Sequence, residues 1–261
     1  MYCESGFNSP PSNLLHQINP FLGIAEPFSC LSHLGLALIV ALKGKKLFSK
    51  AQDKASRIGI NLYLFGALFS MIVSSIYHLV EPCTSRRYFL RKLDHSAIFF
   101  LIAGTFSGCH LTCFKKFSAK YFPPLLLWTL AVIGVTLKVF FFDHINPILS
   151  HSLYLLCGWI GLLTAFQLYQ KFGLRLARPA LLYLLLGGIF YSGGALIDCF
   201  RRDVVLVSGV IGAHEVFHVG VFLGVMFHFY FETYCAEKLH PLIALEDEEE
   251  ERSGVSKVKR V

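Results

Sequence analysis

Apolar runs near the length of a bilayer crossing recur along this chain, separated by short polar connections. A helical span needs about 20 predominantly apolar residues. Seven stretches qualify, at roughly 24–42, 59–80, 94–114, 122–142, 149–169, 180–200 and 206–234. The connections are only about 5 to 16 residues long, too short for an extramembrane domain. The pattern predicts an all-α fold, a seven-transmembrane-helix bundle over 24–234. A short polar segment, 1–23, precedes it. A charged tail, 235–261, follows and is expected to be disordered, since the acidic run Glu246 to Glu251 and the basic Lys257, Lys259 and Arg260 offer nothing to bury.

Composition agrees with a membrane protein. Hydrophobic residues make up 54% of the 261 and charged ones 16%, against about 25% charged in soluble domains. The first twenty residues lack a basic region and an apolar core, so no cleavable signal peptide is expected. The net charge of +7 sits in short loops between apolar runs, which points to a membrane face and not to nucleic acid. Twelve Lys and Arg fall on one side (Lys43, Lys45, Lys46, Lys50, Lys54, Arg57, Lys115, Lys116, Lys120, Lys171, Arg175, Arg178). Six fall on the other (Arg86, Arg87, Arg91, Lys92, Arg201, Arg202). The excess predicts a cytoplasmic C-terminus in a plasma or inner membrane. The eight cysteines are scattered without a CxxC pair and read as small buried hydrophobes.

Ionisable side chains gather at one end of the predicted bundle. Glu26, His33, His78, Asp94, His95, His151, Asp198, His214, Glu215 and His218 all map to the end that carries the N-terminus. Lys138, His110, His228 and Glu232 are assigned to the other. Such groups inside hydrocarbon mark functional sites. His214 and His218 are four apart and share a helical face, so both can bind one cation, zinc being the commonest. His78, at the end of span 2, is the expected third ligand, and Ser74 lies one turn before it on the same face. Three histidines leave the fourth tetrahedral position open, as in catalytic zinc sites. Asp94 is the carboxylate expected to orient water and move its proton.

His214-Glu215-Val216-Phe217-His218 also matches HExxH, in which the Glu of a metalloprotease acts as base. No Asp follows His218 before Asp247, and Glu232 is about 20 Å further along the helix at the α-helical rise. The missing ligand must come from upstream, which disfavours the protease plan. Glu215 is expected to make a polar interhelical contact. Glu26 and His33 are expected either to support the ligands or to pair with each other, and Asp198 either to pair with Arg201 or Arg202 or to serve the cavity.

Ser-x-x-x-His ending span 2, Leu93-Asp94-His95 opening span 3 and His-x-x-x-His in span 7 resemble the hemolysin III/progestin and adipoQ receptor (PAQR) family. That family belongs to a superfamily that includes alkaline ceramidases. Glu26 with Ser32-His33-x-x-Gly35, Ile102 to Phe106, Tyr154 with Gly158-Trp159, and Gly187-Gly188 with Tyr191 and Gly194 extend the match across about 24–234. The resemblance implies Zn(2+) held by His78, His214 and His218, a water between metal and Asp94, and Ser74 nearby. It also implies a membrane lipid as substrate or ligand, with ceramidase-like hydrolysis of lipid amides. Receptor members place the N-terminus in the cytoplasm, opposite to the charge count. The alternatives are a non-enzymatic signalling or lipid-sensing protein with structural zinc, and a cytolytic or pore-forming protein.

Overall fold

The computed structural model describes residues 20–201, 203–243, 245 and 246. Seven helices are introduced in chain order: α1 Pro27–Phe48, α2 Lys54–Leu79, α3 Ser85–Cys113, α4 Phe117–Phe140, α5 Pro147–Trp159, α6 Gly161–Phe200 and α7 Ala213–Tyr234. Local chemistry sets most starts. Pro27 occupies the first turn of α1, where a missing N–H costs nothing. Asp53 caps α2 by accepting from the Ser56 N–H at 2.6 Å, and Thr84 caps α3 by accepting from the Arg87 N–H at 3.1 Å. Asn146 caps α5 by accepting from the Leu149 N–H at 2.7 Å.

Among the described residues, six helices are by length and composition able to cross a membrane, and one of these runs 53 residues from Ile148 to Phe200. A straight helix of that length would reach about 80 Å, far beyond a hydrocarbon core of about 30 Å. It is not straight. Gly173 leaves the helical region (φ 69°, ψ 165°), a conformation that favours glycine. The chain then folds back: Trp159 Nε1 donates to Ser192 Oγ at 3.0 Å, and His151 meets Asp198 at 3.3 Å. The stretch counts once by helix continuity and twice as crossings, which reconciles six helices with the seven expected spans.

The bundle is built around α3, in whose most apolar stretch 83% of residues are buried. α2 packs on α3, α6 on α7, α3 on α4, and α1 on both α2 and α7. The α2–α3 approach needs glycine on both sides. A Cβ on Gly104 would come within 2.6 Å of the Leu62 carbonyl oxygen, and one on Gly66 would strike that of Phe100. Gly187 and Gly194 likewise lie against α7, whereas Gly158, Gly188 and Gly193 have no heavy atom within 4 Å of where a Cβ would stand. Leu31, Leu34, Leu38 and Leu42 form an exposed stripe on α1, the face left for lipid.

Three expectations need correction. The last span begins at Ala213 and not near 206, because Val205–Val207 and Ile211–Gly212 pair as a small antiparallel hairpin around Gly209. Beyond Tyr234 the chain stays helical through a π-turn, Cys235–Leu239, and onward to Ile243, held by buried Cys235, Ala236, Leu239, His240 and Ile243. Lys138 belongs to the histidine end: its ammonium donates to Ser150 Oγ and lies over the Tyr154 ring. The segment 1–19 and the tail from 247 lie outside the described residues.

Candidate metal centre at the start of α7

The last turn of α2 and the first turns of α7 meet at one depth. His78 is 1% exposed and His218 2%, while the His214 side chain is 43% exposed. Their ring centroids are 4.5 Å (His78–His218), 4.7 Å (His214–His218) and 5.2 Å (His78–His214) apart. One ring nitrogen from each lies within 4.8 Å of the others, so the triad can hold a metal ion. The half-open side is that of His214, and a ligand would enter there.

The opposite ring nitrogens are tied down one by one. His78 Nδ1 bonds the Glu26 carboxylate, His214 Nδ1 bonds Asp198 at 3.0 Å, and His218 Nδ1 meets His33 Nε2 at 3.0 Å. A carboxylate on Nδ1 keeps the proton there and turns the Nε2 lone pair inward, the arrangement by which histidine ligands are oriented and made more basic. Inside the triad, His214 Nε2 and His218 Nε2 are 3.2 Å apart. Two nitrogens bound tetrahedrally to one zinc at 2.0–2.1 Å would be about 3.3 Å apart. His78 Nε2 is buried and makes no hydrogen bond among the described residues. Left so, a buried acceptor costs about 1–3 kcal/mol; a cation at the centre would use it. The donor set fits a metal.

Each supporting group is itself anchored. The Glu26 N–H donates to the His78 carbonyl at 3.0 Å, so backbone and side chain of one residue grip one histidine. Arg87 donates to Glu26 at 2.5 Å and to the Val80 carbonyl at 2.6 Å, with its guanidinium 4.1 Å over the Tyr77 ring. Asp198 is shared between His214 and His151. Arg201 takes Asp203 instead, through two contacts of 3.0 Å. Glu26 and His33 thus support different ligands and do not pair with each other.

Asp94 and Ser74 lie near enough to interact with each other, and His214 is near enough to interact with the carboxylate. Asp94 and His95 are partly buried on α3, and the His95 carbonyl accepts from Tyr154 Oη at 2.9 Å. Glu215 faces away from the centre. Ser29 Oγ donates to its Oε1 at 3.1 Å and the Gly212 N–H to its Oε2 at 3.0 Å, an interhelical contact combined with a helix cap. Both of its carboxylate oxygens are thereby engaged.

Fold and site together define a polytopic helical membrane protein with a histidine triad between its second and last crossings. The chain belongs to the haemolysin-III related family, whose model matches residues 22–229. Among curated proteins it is similar to Hemolysin-3 of Bacillus cereus, with 31% identity over 144 residues, covering 55% of this chain and 60% of that one. It is also similar to the Hemolysin-3 homolog of Bacillus subtilis strain 168, with 31% identity over 145 residues, 55% of this chain and 65% of that one. The matched region therefore spans somewhat under two thirds of either relative.

Proposed function

We propose that this protein is a zinc-dependent hydrolase of lipid amides, acting within the membrane on a substrate that reaches the centre past His214. The observation that carries the reading is the set of three inward ring nitrogens, each backed by its own partner, with the Ser74–Asp94 pair beside them. When bound, zinc supplies Lewis acidity, ionising water near neutral pH and polarising a carbonyl. The residues do the rest. Glu26, Asp198 and His33 hold the imidazoles in register. Asp94 accepts the proton of the attacking water as the new C–O bond forms, then delivers it to the amine as the C–N bond breaks. Ser74 donates to the carboxylate and keeps it aimed.

The test uses protein purified in detergent and loaded with zinc, presented with a panel of N-acyl lipids. Fatty acid release should fall about 100-fold or more in Asp94→Ala, the scale of a lost general base, with zinc content unchanged. His78→Ala should lose zinc and activity together. No release by metal-loaded wild type across the panel overturns the hydrolase reading. The relatives' name favours a second reading, lysis of membranes. Against it, the polar groups of the crossings gather toward the two ends and no polar stripe runs the length of one. Leakage of dye from liposomes by purified protein would restore it.

A further inference from the structure

At the far end of the bundle, three cysteine thiols converge. Cys109 and Cys113 are four apart on α3 and share its inner face, and Cys235 opens the π-turn that follows α7. Their sulfurs all lie within 4.8 Å of one another, and they are fully buried. At the helical rise, the 21 residues from His214 to Cys235 span about 30 Å, so this cluster is separate from the histidine centre.

Small buried hydrophobes would explain three cysteines by themselves, but not their neighbours. Glu232, one turn before Cys235, is 1% exposed, and neither carboxylate oxygen makes a hydrogen bond of normal geometry among the described residues. It fills the space that a side chain at Gly108 would need, directly beside Cys109. His240, 3% exposed, bonds the Thr112 carbonyl through Nδ1 at 2.8 Å. That bond leaves its Nε2 as a lone-pair nitrogen, buried and without a partner among the described residues, and His240 is near enough to interact with Cys113. Two unsatisfied polar groups beside three thiols are costly in a dry interior.

We propose that Cys109, Cys113 and Cys235 form a second, thiolate zinc site. Cysteine sulfurs at this spacing are a zinc-binding donor set. Sulfurs 2.3 Å from a common zinc are about 3.8 Å apart, so each pair has to close by at most about 1 Å. Three thiolates and a zinc ion leave a single negative charge in an apolar jacket of Phe114, Leu168, Phe231 and Leu239. The site fastens the end of α3 to the turn that leaves α7.

Full-length protein purified in detergent under reducing conditions should contain two zinc ions per chain. Cys235→Ser should hold one, and His218→Ala should hold the other. Cobalt(II)-loaded wild type should show a thiolate-to-metal charge-transfer band, which a histidine-only centre lacks, and Cys235→Ser should lose it. Cys109→Ala gives the same readouts if Cys235→Ser does not fold. Wild-type zinc content in both cysteine variants overturns the proposal and leaves the histidine centre standing. A disulfide among these cysteines in freshly purified protein overturns it as well. Loss of zinc in the cysteine variants alone, with His218→Ala unchanged, keeps this site and removes the other.

Discussion

At the scale of single residues, the histidine end is organised by partners. His214 and His218 could be paired from spacing alone, since four residues on a helix put side chains on one face, and His78 joined them by its depth at the end of span 2. The groups behind them could not. Glu26, His33 and Asp198 sit on other elements than the ligands they serve, and only the packing of α1 and α6 against α2 and α7 decides which ligand each one serves. Glu215 shows the converse: its sequence context matches HExxH, yet Ser29 and Gly212 engage it. Partners of this kind typically change metal affinity by about 10 to 100-fold when lost. Asp198→Asn, which keeps the shape and removes the charge behind His214, should therefore weaken zinc binding by about that factor in a competitive chelator titration. Glu215→Gln should leave zinc affinity near that of wild type and lower thermal stability instead.

At the scale of elements, the helices follow apolar runs and caps, and their contacts follow glycine. The run lengths were readable because each crossing must fill the hydrocarbon. The hairpin before α7 was not, since Val204, Leu206 and Val210 are as apolar as a helical span and only Ser208-Gly209 marks the turn. The extension beyond Tyr234 was hidden by the charged residues downstream, which masked the burial of Leu239 and Ile243. Gly104→Ala should push α3 away from the Leu62 carbonyl and lower stability by about 1–3 kcal/mol, the usual cost of overpacking. Asp53→Ala should cost about 1 kcal/mol through loss of the α2 cap. Thermal unfolding in detergent compares the two; an unchanged Gly104→Ala would mean that the helices part freely.

For the whole molecule, the histidine end carries a disulfide and the other end the greater share of basic charge. Cys83, in the connection between α2 and α3 at the histidine end, is disulfide-bonded, whereas Cys109, Cys113 and Cys235 at the other end are free thiols. Disulfides persist in oxidising compartments, and the excess of Lys and Arg lies at the thiol end. Both observations predict that the histidine end faces away from the cytoplasm. In intact cells, a membrane-impermeant reductant should expose the Cys83 disulfide to an impermeant maleimide, and in Cys83→Ser the labelling should no longer depend on the reductant. Labelling that requires permeabilised cells would reverse the orientation.

The reversal at Gly173 bears on how such a chain enters its membrane. Two crossings joined by a single non-helical residue have no slack between them, so the first cannot be released into lipid while the second is still being synthesised. They must partition together as a preformed helical hairpin. A β-branched residue at 173, unable to hold φ near 69° without strain, would then show its defect during biogenesis, as arrested or misoriented insertion, before any effect on the metal centres could be measured.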